Sequence, residues 1–123
     1  MPRAELQESN SPIKQKDRFL SESILATSGE DISFVMATLA NNGKNLMTQL
    51  LYRGSRDGLY PRVFHKLCDN KGPTLTIARS KGFGKLFGGY TSVSWSTPAQ
   101  QKLIFDKSAF VFSITHKTKH PIA

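Results

Sequence analysis

The sequence predicts a mainly β domain of the α+β class, antiparallel in its strands and with helices at the periphery. Three observations carry this. Helical apolar spacing occurs clearly in one segment, residues 29–41. From residue 48 onward, short apolar or β-branched runs alternate with turns built from Gly, Pro, Asn and Asp. The run Ala109-Phe-Val-Phe-Ser-Ile114 is apolar at nearly every position, as a buried strand is.

The elements follow in order. Residues 1–16 are polar, include Ser11-Pro12 and show no apolar period. They are expected to form a flexible leader that extends to about residue 27. Ser28-Gly-Glu-Asp31 has the spacing of a capping box, with an acidic residue three after the Ser. Ile32, Val35, Met36 and Leu39 then share one helical face, and Asn41-Asn-Gly43 supplies a stop. Leu50-Leu-Tyr52 reads as a short strand, and Ser55-Arg-Asp-Gly58 as a turn, where Asp bonds its own backbone and Gly takes positive φ. Pro61 opens a short helix in which Val63, Phe64 and Leu67 share a face. Asn70-Lys-Gly-Pro73 is a second turn, Thr74–Ile77 a strand, and Lys81-Gly-Phe-Gly84 a hairpin. Leu86 to Trp95 is expected to be one strand, with Gly88-Gly89 marking a bulge or a close backbone approach. Thr97-Pro98 breaks it. In the Ala109–Ile114 strand, Phe110, Phe112 and Ile114 face one way and Ala109, Val111 and Ser113 the other, which predicts a central strand buried on both faces. Residues 116–123 are expected to trail off.

At 123 residues the chain holds one domain or part of one. No apolar run approaches the roughly 18–20 residues of a membrane helix. Arg3, Glu5 and Glu8 replace the apolar core of a secretory signal. A single Cys68 excludes an intrachain disulfide, and a cytoplasmic setting is expected. The net charge of +8 is unevenly placed. Residues 1–43 carry four basic and six acidic side chains, a net of −2. Residues 44–123 carry thirteen basic and three acidic, a net of +10. A basic portion of this kind attracts nucleic acid, an anionic surface or an acidic protein face. The basic residues never form the dense run of a nucleic-acid patch, so nucleic acid is the less favoured partner.

Candidate chemistry is sparse. His65, Cys68 and Asp69 are close in sequence, but a zinc site needs three or four ligands, and only His116 and His120 remain as further His or Cys. Cys68 is expected to be a small buried hydrophobe. Lys81-Gly-Phe-Gly84 matches the start of an RNA-recognition motif, but Lys85 and Gly88 stand where base-stacking aromatics belong. Gly82, Gly84, Gly88 and Gly89 do not have the spacing of a phosphate-binding loop. Asp57, Asp69 and Asp106 are the acids of the basic portion, and the first two lie in turns. No G-x-S-x-G elbow occurs. Residues alone therefore favour a binding or structural module, not an enzyme, with no cofactor or metal.

Four blocks carry a resemblance. They are Leu50-Leu-Tyr-Arg-Gly-Ser-Arg-Asp-Gly58, Phe64-His-Lys-Leu-Cys-Asp-Asn-Lys-Gly-Pro-Thr74, Phe87-Gly-Gly-Tyr-Thr-Ser-Val-Ser-Trp95 and Ala109–Ile114. In this order they resemble consecutive blocks of the TLDc domain, the module of eukaryotic oxidation-resistance proteins. The resemblance spans about Leu46 to Pro121, and the helix at 29–41 fits the one before that domain's first strand. It implies a two-sheet antiparallel β-sandwich flanked by helices. It also implies protection against oxidative stress and, as in several members, binding and regulation of the vacuolar-type proton ATPase. No common enzymatic mechanism goes with it. The motif residues Tyr52, Ser55, Asp57, Gly58, Cys68, Asp69, Gly72, Pro73, Gly88, Gly89, Tyr90 and Trp95 are expected to be structural. Met47 and Gln49 stand near the position where the family often has a Trp. The family's later Gly-Pro-x-Phe-Gly block does not follow Pro121, so residues 28–121 are expected to be the N-terminal portion of the domain. A basic module for nucleic acid or an anionic surface is the alternative.

Overall fold

The computed structural model describes residues 4–12, 20–39, 48–96 and 106–121. Strands β1 (Ala4–Pro12), β2 (Thr48–Arg53), β3 (Thr74–Ser80), β4 (Leu86–Thr91), β5 (Phe110–Ser113) and β6 (Thr118–Pro121) form one sheet in the order β2-β1-β3-β4-β5-β6. All its ladders are antiparallel. Helices α1 (Gly29–Thr38), α2 (Gly54–Asp57) and α3 (Pro61–Cys68) complete the described elements. The mainly β, α+β class is as the turn and strand spacing predicts. The described residues contain this one sheet of the implied two, and α1 covers one of its faces.

Local chemistry sets the helices. Ser28 caps α1, its Oγ accepting from Asp31 N at 3.0 Å, which satisfies one of the orphan donors of a helix start. The expected stop at Asn41-Asn-Gly43 lies outside the described residues. Pro61 occupies the first turn of α3, where its missing N–H costs no intrahelical bond. The expected Ser55–Gly58 turn is a single helical turn, α2, closed by the bond from Gly58 N to Gly54 O at 2.9 Å.

The core lies on the α1 side of the sheet. Leu75 and Ile77 of β3 and Phe110 and Phe112 of β5, together with Ile114 beyond it, are buried against Val35 of α1 and against Leu20, Leu25 and Ala26. Phe34 meets Phe112 edge to face, with centroids 6.4 Å apart. Two lysines following β5 fasten α1 down. Lys117 Nζ reaches Asp31 Oδ1 at 2.8 Å in the first turn of α1. Lys119 Nζ donates to Thr38 O at 2.8 Å at the helix end and lies 4.3 Å from the Phe110 ring centroid. A cation at a helix C-terminus and over a ring face is favoured twice.

Several expectations are corrected. Residues 4–12, expected to be leader, form β1 between β2 and β3. A polar strand shows no apolar period, and its place is set by backbone pairing along two ladders. Residues 20–26 are not leader either: Leu20 N donates to Thr48 Oγ1 at 2.7 Å, and Leu20, Leu25 and Ala26 are core. The segment expected to trail off holds the edge strand β6, which pairs with all of β5. With β6 at the edge, β5 is second from it, and its outer face is open: Val111 is 48% exposed. The strand from Leu86 ends at Thr91, short of Trp95. Thr97-Pro98 lies outside the described residues.

Candidate functional site

Tyr52, Gly89 and Trp95 of the motif lie on the face opposite α1, while Gly88 and Tyr90 face the α1 side. Tyr52, Thr76, Gly89 and Val111 form one row across the sheet, linked by the registers Tyr52 to Ser9, Ser9 to Thr76, Thr76 to Gly89 and Gly89 to Val111. Residues directly opposite in a ladder share a face. Helix α3 lies against this row through Phe64. The Phe64 ring is 5.3 Å from Tyr52 and 5.5 Å from Trp95, edge to face in both cases.

The first block is held by three local contacts. Tyr52 is 2% exposed, and its hydroxyl donates to Gly58 O at 2.6 Å. Burial pushes its pKa up, and the nearby Asp57 and Cys68 add to the shift. Asp57 Oδ2 accepts from Arg53 N at 2.9 Å, and both Asp57 oxygens accept from the Arg56 guanidinium at 2.9 Å. The Arg56 fork holds the carboxyl below the usual carboxylate range. Gly58 has φ +90°, a conformation that costs a side-chain-bearing residue dearly and a glycine little. Ser55 is exposed on α2.

The second block meets the third. Cys68 ends α3 and is fully buried, so its thiol is a packing group and is shielded from solvent. Asp69 Oδ1 lies 2.8 Å from His65 Nδ1, one helical turn back. Asp69 also bridges Trp95 in parallel, Asn70 N donates to Trp95 O at 2.9 Å, and Gly72 N donates to Ser94 Oγ at 2.8 Å. Gly72 takes φ +76° in this turn, just before Pro73. His65 and Cys68 share a helix, but His65 is engaged with Asp69 while Cys68 points into the interior.

Gly88 and Gly89 have different roles. The β3–β4 and β4–β5 ladders run through both without a bulge, so the alternative of a close approach holds. At Gly88 a Cβ would stand 2.1 Å from Thr76 O and 2.7 Å from Phe112 Cζ. At Gly89 it would meet nothing nearer than Phe110 O at 3.5 Å. Gly88 lets three strands pack, whereas Gly89 leaves open space over the sheet. Tyr90 stacks on Phe110 at 5.4 Å, and burial raises its pKa, with Asp106 adding to the shift.

Asp106 is the structural centre that the sequence did not mark. Its Oδ1 accepts from Ser92 Oγ at 2.7 Å and from Ser108 N at 3.0 Å. Its Oδ2 accepts from Ser92 N at 2.6 Å, Thr91 Oγ1 at 2.8 Å and Val93 N at 3.3 Å. The Ser92 and Thr91 hydroxyls lead the donors that hold its carboxyl far below the usual range. These donors also turn the chain after Thr91, which ends β4 early.

Above Gly89 is a groove of about 690 Å³. Its floor is the Thr76–Gly89–Val111 row, and its walls are Leu59-Tyr60 and Trp95. Leu59 and Tyr60 are 60% and 67% exposed. They were not singled out from sequence, although two large apolar residues between a turn Gly and a helix-opening Pro are a usable signal. All three carboxylates of residues 44–123 are committed locally: Asp57 to Arg56 and Arg53 N, Asp69 to His65, and Asp106 to its turn. Among the described residues no helix is long and apolar enough to cross a membrane.

The TLDc domain family model matches residues 19–122. The match begins ahead of the helix-capping Ser28 and takes in the buried Leu20, Leu25 and Ala26. No curated protein and no solved structure gives a significant match to the chain.

Proposed function

The chain belongs to the TLDc domain family, and from that premise we propose that it is a non-enzymatic protein-interaction module. Its role is in protection against oxidative stress, in binding and regulating the vacuolar-type proton ATPase, or in both, in the cytoplasm at organelle surfaces. One observation carries the interaction reading. The polar motif side chains Tyr52, Asp57 and Asp69 are spent on holding turns and helix ends, while the apolar groove beside them stays open. Buried anchoring beside exposed aromatic surface is the arrangement of a contact face.

The test is retention of vacuolar ATPase subunits by the immobilised chain. Retention that survives washing and is competed by free chain is expected, and no retention removes this partner. The second reading, a binder of nucleic acid or an anionic surface, rests on the net +10 of residues 44–123. It requires an affinity that falls steeply with salt, and a salt-independent affinity refutes it.

A further inference from the structure

Phe83 is the most exposed of the large hydrophobic side chains among the described residues, at 83%. It stands at the middle of the loop joining β3 to β4, where residues 81–85 are all exposed. The base of this loop is closed on the buried Ser80. Ser80 N donates to Lys85 O at 2.9 Å, Gly84 N to Ser80 O at 3.1 Å, and Lys85 N to Ser80 Oγ at 3.0 Å. Leu86 N donates to Thr115 Oγ1 at 2.8 Å, so the β5–β6 turn braces the loop from the side. Gly82 and Gly84 take φ +95° and +63°, and a Cβ on either would meet nothing within 4 Å. A tightly bonded loop thus holds a phenyl ring out in open space, where leaving it in water is unfavourable.

The loop carries charge of one sign. Lys81 and Lys85 flank the ring two residues to either side, and neither has an ion pair among the described residues. The sequence has no acidic residue from 70 to 105. The acids toward this end of the sheet belong to other elements. Asp31 of α1 is paired with Lys117, Glu30 precedes it, and Glu5 of β1 lies between the partners of Ser80 and Arg79.

The form of the tip selects among anionic surfaces. Single-stranded nucleic acid is held on successive rings along a groove. Here one ring stands alone, and Lys85 and Gly88 occupy positions where further rings would be needed. A convex tip with one apolar apex and a cation on each side fits a lipid headgroup layer, which opens for a single ring and supplies the negative charge. We propose that the 81–85 loop is a contact site for an anionic lipid bilayer: Phe83 inserts at the boundary of headgroups and acyl chains, while Lys81 and Lys85 extend to the headgroups. One ring and two lysines make a reversible attachment, of the kind that acts together with a second contact. The inference rests on the second reading above, binding to an anionic surface, and gives it a site and a surface chemistry.

The full chain is sedimented with vesicles of phosphatidylcholine alone and with vesicles that hold about one third phosphatidylserine. Phe83→Ser, Lys81→Gln and Lys85→Gln are compared with it, and melting curves establish that each folds. Binding to the phosphatidylserine vesicles alone is expected, weakening from low to physiological salt. Each lysine variant should lower the partition coefficient about fivefold. Phe83→Ser should lower it about tenfold or more, as loss of a buried ring requires. Insertion is read separately from Phe83→Cys carrying an environment-sensitive fluorophore, since the native Cys68 is fully buried. Its emission should shift to the blue on phosphatidylserine vesicles. Equal binding to neutral vesicles overturns the proposal, as does an unshifted emission from vesicle-bound chain. Salt-sensitive vesicle binding that the three variants leave unchanged also overturns it, and the second reading then stands on another face. Binding to single-stranded DNA without vesicle binding assigns the basic portion to nucleic acid and overturns the lipid site. Binding to neither removes the site and the second reading together.

Discussion

Replacing Gly88 by Ala adds one methyl group and should be among the most damaging single changes available to this sheet. The added Cβ would lie 2.1 Å from Thr76 O and 2.7 Å from Phe112 Cζ. Thr76 O belongs to the backbone of β3, which is paired on both sides, so it cannot swing away as a flexible side chain would. Phe112 is 2% exposed and packs against Phe34 and Phe110. Relief therefore requires β4 to separate from β3 and the aromatic core to move together. Overpacking a filled site costs about 1–3 kcal/mol, and a clash against backbone belongs at the top of that range. For a domain of this size about 3 kcal/mol lowers Tm by roughly 10 °C. Gly89→Ala is the internal control, with the new Cβ no nearer than 3.5 Å to any atom. It should change stability by less than about 1 kcal/mol, and a gain is expected because Ala restricts the unfolded chain. Urea and thermal melts followed by circular dichroism, with the single Trp95 as a second probe, measure both variants. If the two variants melt within about 1 kcal/mol of each other, the assignment of opposite roles to adjacent glycines is wrong.

Three further outcomes follow from the contacts. Tyr52→Phe removes the 2.6 Å bond to Gly58 O and should lower stability by about 1 kcal/mol in a urea melt, with no change of fold. Thr74→Val should stabilise by up to about 1 kcal/mol, because Thr74 Oγ1 is buried without a hydrogen-bond partner and Val keeps its shape; a loss of stability would place an unrecognised partner on that hydroxyl. The folded pKa values of Asp57 and Asp106 lie below their ordinary value of 3.8, so their stabilising contribution is complete above about pH 4 and is lost as pH falls through the folded values. Acid melts should therefore show stability declining from about pH 4 downward. Asp106→Asn should lower Tm at neutral pH and flatten part of that decline; an unchanged acid limb would exclude Asp106 as a source.

The elements legible in the sequence are those whose signal is local. Ser28 and Asp31 form a cap within one turn, Pro61 opens α3, and turn residues at 58, 72 and 82–84 fall where the backbone needs them. The elements that were not legible depend on partners far along the chain. β1 is polar, and no window of its own residues distinguishes it from a leader; two neighbouring ladders make it a strand. β6 is a four-residue edge whose burial pattern is exposed throughout, so only its pairing to β5 defines it. The early end of β4 depends on Asp106, fourteen residues beyond Ser92. In the site, the motif residues are legible from their spacing in the sequence. The groove is not legible, because its walls come from a turn (Leu59-Tyr60) and the segment after β4 (Trp95) and its floor from β3, β4 and β5, which only the fold assembles.

The same geometry explains why a strongly recognisable motif need not mark a reactive centre. A carboxylate, imidazole or phenol is available for chemistry when its polar atoms are free to face a substrate. Asp57, Asp69, Asp106 and Tyr52 each spend theirs on neighbours within the domain, at distances of 2.6–3.3 Å. Local hydrogen bonds of this kind fix turn conformations and strand ends, so the spacing of these residues reflects the fold more than a ligand. The three acidic side chains of residues 44–123 are engaged by neighbours, and Arg56 and Lys117 are paired in turn with Asp57 and Asp31. The described residues thus combine a locally hydrogen-bonded frame with an aromatic-walled groove.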